Sequence, residues 1–402
     1  DLDRVVQLGA PITVASLLQR LGRTGRRAGT SRNMTFLSLD DAELVRAAGL
    51  LLLHGEGYVE PVTPPPLPRH VAAQQLLGVT LQKRRVNLRD EELRVARLGL
   101  AIPEEAREIG KWLVDTGHLD EDSGLHFVGP AAERRYGSRN FMDLLAIFTA
   151  APEVTVLHGR TEIGSVDPML LTAKVEGPRV IALAGKPWRV TYIDWQRRRA
   201  YVEPSDRPGR SRWSGDARPY SYELSDAIRR VLLGADPAGV HVSERAQQRL
   251  AAVRAAFEPR VTEDSTVVAP EGSRLRWWTF AGAKANAVLT AAVGAVAPEL
   301  LDEWSYSNLT VALRSDATAA ALSSALRRAR VEFGDDLAGA VPEVSEQALK
   351  KLKFSELLPP ALAIATLSAR SSDHAGAAAA ARSPVVAQDW PTPSMETGHG
   401  PR

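Results

Sequence analysis

The sequence predicts a multidomain α/β chain: a small α/β segment, then three helices with a hairpin, then an α+β region that combines a small barrel with helices. Three observations carry this prediction. Short β-branched runs alternate with helix-period runs, a proline-rich stretch at 62–68 and a shift to β-rich character at 141 divide the chain, and 402 residues exceed one domain of about 150.

Residues 4–8 (Arg-Val-Val-Gln-Leu) read as a short buried strand ended by the turn residues Gly9-Ala10-Pro11. Val14, Leu17, Leu18 and Leu21 then recur at helical spacing, and the run stops among Gly22, Gly25 and Gly29 with arginines between them. A second strand is predicted over 34–39, and Leu44, Val45, Ala48, Leu51 and Leu52 set a helix inside 41–60. Pro64, Pro65, Pro66 and Pro68 make 62–68 a stiff, extended linker, so a first domain ends near 60.

Helices follow over 69–79, 90–98 and 103–116, the last with Pro103 at its first position and Glu104 and Glu105 in its first turn. A hairpin around the turn 120–124 closes this module, and helix, helix, helix, hairpin over 67–137 is the outline of a winged helix. Beyond 141, β-rich runs at 153–157, 179–183, 188–193 and 200–202, joined by Gly159, Gly164, Gly177 and Gly185, predict a small sheet or barrel. Helical runs at 222–233, 243–257, 282–296 and 315–331 complete one domain over 141–370. The Ala-rich and then Pro-rich tail, 371–402, lacks apolar periodicity and is expected to be disordered.

Composition excludes several classes of function. The 50 Lys+Arg against 48 Asp+Glu give a net charge of +2, and no apolar run approaches the ~20 residues of a membrane span, so no membrane partner is expected. The absence of Cys removes disulfides, thiolate catalysis and Cys-bound zinc or iron–sulfur clusters, and points to a cytoplasmic setting. The eight His show neither His-x-His nor His-Glu-x-x-His spacing, so no metal site is expected. The chain opens at Asp1 with neither Met nor the features of a signal peptide, which suggests a piece of something longer.

The strongest chemical signal is Gln19-Arg20-Leu21-Gly22-Arg23-Thr24-Gly25-Arg26. Arginine forks at this density suit the oxygens of a phosphate chain, because they are planar, permanently charged, bidentate donors. Arg23 and Arg26, three apart at a helix end, can reach one site, while Gly22 and Gly25 let the backbone approach a ligand. The bland alternative is a solvated arginine-rich loop.

That string, with Asp3-Arg4-Val5-Val6-Gln7 and Pro11 before it and a strand after it, resembles motif VI of superfamily 2 helicases. Trp277-Trp278-Thr279-Phe280-Ala281-Gly282 with Asn286, Glu162-Ile163-Gly164 with Gly185-Lys186-Pro187-Trp188-Arg189-Val190, and Phe354-Ser355-Glu356-Leu357-Leu358-Pro359 resemble the C-terminal half of large helicase-related, Lhr-type ATP-dependent DNA helicases. The resemblance covers about 1–370. It implies that 1–60 is the end of a second RecA-like domain, an α/β remnant, followed by the winged helix and the β-barrel-plus-helical domain. Gln19, Arg20, Gly22 and Gly25 would then line the nucleotide, and Arg23 and Arg26 would be arginine fingers. The complete enzyme would use ATP and Mg2+ and move 3′ to 5′ on single-stranded DNA or open RNA–DNA hybrids.

The sequence departs from the family in two ways. Neither a Gly-x-x-x-x-Gly-Lys-Ser/Thr string nor an Asp-Glu-x-His box is present, so the chain alone is expected to be catalytically silent. The missing N-terminal helicase half would lie in the same or another chain. Without those strands, residues 1–40 are expected to be sticky or disordered.

For nucleic acid, residues 179–218 hold ten Lys/Arg against four acids, interleaved with Trp188, Trp195 and Trp213. Such a stretch serves either backbone neutralisation with base stacking or a solvated hairpin whose tryptophans fill a core. The candidate contacts are Trp188, Arg189, Arg197, Arg198, Arg199, Trp277 and Trp278. The adjacent Trp277 and Trp278 face opposite ways on a strand, so at most one is core and the other is a stacking candidate. The third helix carries Glu104, Glu105, Glu108 and Asp115 against Arg107 and Lys111, a poor surface for phosphates; Lys83, Arg84, Arg85 and Arg89 are better placed. The competing function is a non-catalytic winged-helix DNA-binding regulator, with the arginine string as an anion patch.

Overall fold

A computed structural model describes residues 2–137, 141–145, 153–166, 171, 178–183, 186–206, 219–271 and 274–388. The chain forms two compact units, Asp1–Arg135 with Pro219–Arg402, and Tyr136–Arg218.

The first unit opens with β1 (Val5–Leu8), α1 (Val14–Leu21) and β2 (Met34–Leu37), and β1 pairs parallel to β2. Helix α1 starts where it does because its first N–H groups find acceptors. Thr13 Oγ1 takes Ser16 N at 3.2 Å, and the Glu60 carboxylate takes Val14 N and Ala15 N at 2.7 and 2.8 Å. Helix α2 (Asp41–Gly55) is capped by Asp40 and buries Val45, Ala48, Leu50, Leu52 and Leu53.

Next come α3 (Arg69–Lys83), α4 (Leu88–Arg97), α5 (Pro103–Asp115), the antiparallel hairpin of β3 (Leu119–Asp122) and β4 (Leu125–Val128), and α6 (Pro130–Tyr136). Leu76, Leu77, Ile109, Leu113 and Leu119 are fully buried among them. The buried Arg69 pairs with Glu105 at 2.5 Å, linking α3 to α5.

The second unit holds α7 (Phe141–Leu145) and five strands: β5 (Val154–His158), β6 (Thr161–Val166), β7 (Val180–Leu183), β8 (Lys186–Asp194) and β9 (Arg199–Pro204). Their order is β6-β5-β9-β8-β7, parallel only between β5 and β9. The sheet curls over Val154, Val156, Ile181, Ala200 and Val202: a Cβ at Gly164 in β6 would lie 3.5 Å from Leu183 of the opposite edge strand β7.

The first unit resumes with α8 (Tyr222–Leu232), α9 (Glu244–Phe257), β10 (Thr266–Glu271), β11 (Arg274–Trp278), α10 (Ala283–Val296), β12 (Leu301–Tyr306) and β13 (Thr310–Leu313). It ends with α11 (Ala319–Phe333), α12 (Glu346–Lys351), α13 (Pro360–Arg370), α14 (His374–Arg382) and β14 (Val385–Ala387). The sheet order is β12-β13-β11-β10-β14, antiparallel except where β14 joins β10.

Both faces of this sheet are covered. One packs on α10, α11 and α14 through Trp277, Val288, Leu322 and Ala377; the other packs on α1, α2, α8 and α9 through Trp278, Leu17, Leu50 and Leu224. The front segment is therefore docked: Gly49 of α2 meets α8 so closely that a Cβ there would lie 3.1 Å from the Ile228 backbone nitrogen. Arg230 of α8 binds both oxygens of Glu56 at 2.5 and 3.0 Å, and this hydrogen-bonded guanidinium holds the Glu56 carboxyl below its usual range.

Three expectations change. The tail is not disordered throughout, because the small side chains of α14 let it lie against α10 with Ala377 at 0% and Ala380 at 3% exposure, and β14 extends the sheet; 389–402 lie outside the described residues. The span 141–370 is not one compact body: the small sheet closes by 218, and 219–370 packs with the front of the chain. The front 40 residues are ordered rather than disordered, since α1 buries Val14 and Leu17 in a shared core, whereas Leu2, Val6, Leu8, Leu37 and Leu39 stay exposed, in keeping with the sticky alternative.

Candidate functional site

The arginine string forms the turn after α1, between the two parallel strands. Gln19, Arg20, Arg23 and Arg26 are all solvent-exposed. Helical spacing explains this: Val14 and Leu17 face the core, which turns Gln19 and Arg20 outward in the last turn. Arg20 Nη1 donates to Gln7 Oε1 at 2.6 Å, tying the helix end to β1, and Arg26 Nε donates to the Gly22 carbonyl at 2.7 Å.

The turn is held by backbone bonds and by the Thr24 hydroxyl. Leu2 N donates to the Arg23 carbonyl at 3.1 Å. Thr24, 1% exposed, donates to the Leu21 carbonyl at 2.8 Å and accepts from Asn33 N at 3.0 Å. Gly25 has φ +64, and a Cβ there would lie 2.6 Å from Arg32 N, so no other residue fits without moving the returning strand. Sequence reasoning missed Thr24 and Glu60. The first occupied a free position of the motif, and the second is a lone acid 46 residues beyond the Val14 N–H it accepts from.

Residues 1–33 carry six arginines against Asp1 and Asp3, so this end of the unit is strongly positive. Among the described residues no group of three or more His, Asp or Glu could hold a metal ion, and no helix is long and apolar enough to cross a membrane.

In the second unit, the candidate residues divide by face. Trp188 is half-buried against the small core; its Nε1 donates to the Leu183 carbonyl at 3.0 Å and its ring lies 5.3 Å from that of His158. Arg189 is exposed but paired across the ladder with Glu203 at 2.6 Å. Arg197 leans on Asp194 at 3.8 Å, Arg198 takes φ +53 in the turn, and Arg199 is exposed at the start of β9. Gly177, Gly185, Arg207, Arg210, Arg212, Trp213 and Arg218 lie outside the described residues.

The outer face also carries Tyr192 stacked on Tyr201 with centroids 5.9 Å apart, beside a turn with Trp195 49% exposed. A register shift between Val190 and Tyr192 puts this pair outward while Val190 and Ile193 remain core. That bulge is why simple alternation did not single out Tyr192.

Trp277 and Trp278 are corrected. They do face opposite ways, but helices cover both faces of the sheet, so both are buried at 0% and 4% and neither offers a face to a base. Trp277 Nε1 donates to Thr266 Oγ1 at 2.8 Å, and Trp278 meets Phe257 edge-on at 5.5 Å. The residues after them are structural too. Thr279 donates to Asn286 Oδ1 at 2.7 Å, Asn286 Nδ2 donates to the Ser307 carbonyl at 2.9 Å, and Asn308 Oδ1 accepts from Tyr220 N at 2.7 Å.

Phe354–Pro359 is likewise a clamp. Phe354 is 1% exposed, and the Glu356 carbonyl accepts from Trp112 Nε1 of α5 at 3.3 Å. The third helix of the module is thus partly occupied by the chain's own backbone, and its exposed face keeps the mixed charge of Glu104, Arg107, Glu108 and Lys111.

No family model matches the chain. It is 26% identical over 253 residues to Lhr helicase/uracil glycosylase of Escherichia coli K12, covering 56% of this chain and 16% of that protein. Among solved structures, Mycobacterium smegmatis helicase Lhr bound to ssDNA and AMP-PNP matches with a TM-score of 0.55 at 17% identity, over 98% of this chain and 55% of that one. The DUF1998 helicase MrfA bound to DNA gives a TM-score of 0.32 at 15% identity over 50% of this chain, too slight a likeness to argue from. The chain thus spans about half of the mycobacterial chain and a sixth of the E. coli protein. Its sequence and its fold make it similar to the C-terminal region of Lhr-type helicases.

Proposed function

We propose that this chain is the C-terminal part of an ATP-dependent 3′–5′ DNA helicase, in which the turn after α1 is motif VI and the three-helix module is a winged helix. The observation that carries the reading is the pair of arginines, Arg23 and Arg26, exposed on a turn whose backbone is fixed by Thr24 and Gly25. Guanidinium groups held this way are ready-made donors for phosphate oxygens and need little reorganisation when charge develops. ATP with Mg2+, when bound in the complete enzyme, supplies the phosphoanhydride cleavage that drives movement. Arg23 and Arg26 would contact the terminal phosphate, while Arg20, steadied by Gln7, and Gln19 would flank it together with Gly22 and Gly25. Among the described residues no group of three or more His, Asp or Glu could hold a metal ion, and in this reading Mg2+ would be held from the missing helicase half, in the same or another chain.

The strand partner in this reading is single-stranded DNA or an RNA–DNA hybrid. Stacking falls to Tyr192, Tyr201 and Trp195, with Trp188 supporting them from the core side and Arg189, Arg197, Arg198 and Arg199 serving the backbone. A duplex-reading regulator is the weaker reading, because α5 spends Trp112 on the Glu356 carbonyl and presents carboxylates outward. The test is fluorescence-anisotropy binding of the purified chain to single-stranded DNA, duplex and hybrid across a salt series, with and without ATP. Single-strand preference with a steep salt slope and no ATP turnover is expected. Sequence-selective duplex binding, by roughly 10³ over random duplex, would overturn the proposal.

A further inference from the structure

A further basic exposed surface among the described residues lies on the three-helix module, where α3 turns into α4. Residues 83–98 contain six cations, Lys83, Arg84, Arg85, Arg89, Arg94 and Arg97, against Asp90, Glu91 and Glu92. All six cations are exposed, whereas Glu91 and Glu92 are buried at 6% and 9%. Glu91 is committed to Lys83 at 2.6 Å and Arg94 at 3.3 Å. Glu92 points inward onto α5: a Cβ at Gly110 would lie 2.1 Å from its Oε1. Among the described residues, Arg84, Arg85 and Arg97 pair with no carboxylate, and Arg89 acts on Glu92 only from beyond ion-pair distance. Asp90 is the one acid in this stretch left on the outside.

The geometry makes these charges one surface. Leu88, Glu91, Glu92 and Val95 form the inner face of α4, so Arg89, Leu93 and Arg97, at intervals of four, form a stripe on the opposite face. Eight residues of helix put Arg89 and Arg97 about 12 Å apart, the length of several nucleotide steps along a strand. Arg84 and Arg85 stand at the head of this stripe, where Val86 pairs with His126 of the β3–β4 hairpin. The hairpin's Glu121 lies 3.7 Å from His126. Four unneutralised arginines in this small area repel one another, a cost that a polyanion would relieve.

We propose that this α3–α4 face binds the sugar–phosphate backbone of nucleic acid, independently of sequence, through Arg84, Arg85, Arg89 and Arg97. The inference rests on the helicase reading and adds a contact surface to it, separate from α5 and from the small sheet. Phosphate contacts of this kind position a strand without reading it, and each one releases counterions, which gives a measurable signature.

The experiment compares the whole chain with the variant R84Q/R85Q/R89Q/R97Q, using fluorescein-labelled dT30 and a labelled random 30-base-pair duplex from 50 to 300 mM NaCl. The expected result is a Kd for dT30 raised tenfold or more at 100 mM, with the log Kd–log salt slope reduced by about 2.8, since each single-strand phosphate contact contributes about 0.7. The charge-retaining R84K/R85K/R89K/R97K should bind within threefold of the parent chain, and circular dichroism should report the same fold for all three. A parent chain that binds neither probe sinks both this proposal and the helicase reading. A parent chain that binds while the glutamine variant keeps its affinity and slope sinks this proposal alone.

Discussion

Gly282 sits at the start of α10 with φ +88 and ψ 154, a region that only glycine occupies readily. A Cβ at that position would also lie 2.5 Å from the Tyr220 carbonyl oxygen and 3.1 Å from the Ser221 carbonyl carbon. Neither neighbour can yield cheaply. Tyr220 N is held by Asn308 Oδ1 at 2.7 Å, and Ser221 caps α8 through Leu224 N at 3.2 Å. For Gly282→Ala the backbone term is about 1–3 kcal/mol. Moving residues 220–221 sacrifices one or two hydrogen bonds at about 1 kcal/mol each. The expected loss is about 3–5 kcal/mol, or roughly 4–8 °C in the melting temperature of a unit this size. The buried Trp277 and Trp278 report the transition by fluorescence. Gly124→Ala is the control: φ there is +80, but nothing lies within 4 Å of the new Cβ, so it carries a positive-φ cost without a clash and should lower the melting temperature far less. Equal effects of the two substitutions would refute the claim that the 220–221 crossing requires glycine at 282.

Two further outcomes follow from buried groups. His70 is 4% exposed, and burial, aided by Arg370, lowers its pKa to about 4. The unfolded chain therefore binds the extra proton between about pH 6.5 and 4, and stability falls as pH falls through that window, by about 3 kcal/mol in all. Melting curves of the parent chain should shift downward over this range, and His70→Leu should flatten the dependence while leaving the smaller contribution of His118, whose pKa burial also lowers. Thr24→Val removes the hydroxyl that joins the Leu21 carbonyl to Asn33 N, so the arginine turn should loosen and trypsin should cut after Arg23 and Arg26 faster than in the parent chain. Unchanged cleavage at those bonds would show that Thr24 does not hold the turn.

Most of the long helices were legible because their apolar spacing and caps are local: Ser221, Ser243 and Thr318 each accept from a backbone N–H three residues on. Partnership between distant segments was not local, and there the reading failed. Nothing in 41–55 says that α2 will lie along α8, whose first residue is 222, and an alanine-rich stretch reads as disorder until the partner that accepts its small side chains is known. The same blindness affected the site. Arginine density revealed the turn, whereas Thr24 and Glu60, which shape it, carry no chemical signature in isolation. Tyr192 was hidden by a bulge that broke the two-residue period of β8.

The tryptophan motif and the arginine motif carry the same family resemblance but lie at opposite ends of the scale of exposure. Trp277, Trp278, Thr279 and Asn286 are buried, and their polar atoms are mostly consumed within the chain, so their identities are required by the joint between β11, α10 and the β12–β13 turn. Gln19, Arg20, Arg23 and Arg26 are exposed; Arg20 and Arg26 add bonds to Gln7 and to the Gly22 carbonyl, but Leu2 N, the Thr24 hydroxyl and Asn33 N already close the turn. Residues that folding does not demand, on a turn that folding makes rigid, are where an external ligand best explains the sequence. Glutamine at Arg23 and Arg26 should therefore leave the melting temperature within about 1–2 °C, since exposed substitutions cost under about 0.5 kcal/mol. A large loss of stability would assign the arginines to the fold instead and remove the main support for a phosphate-facing role.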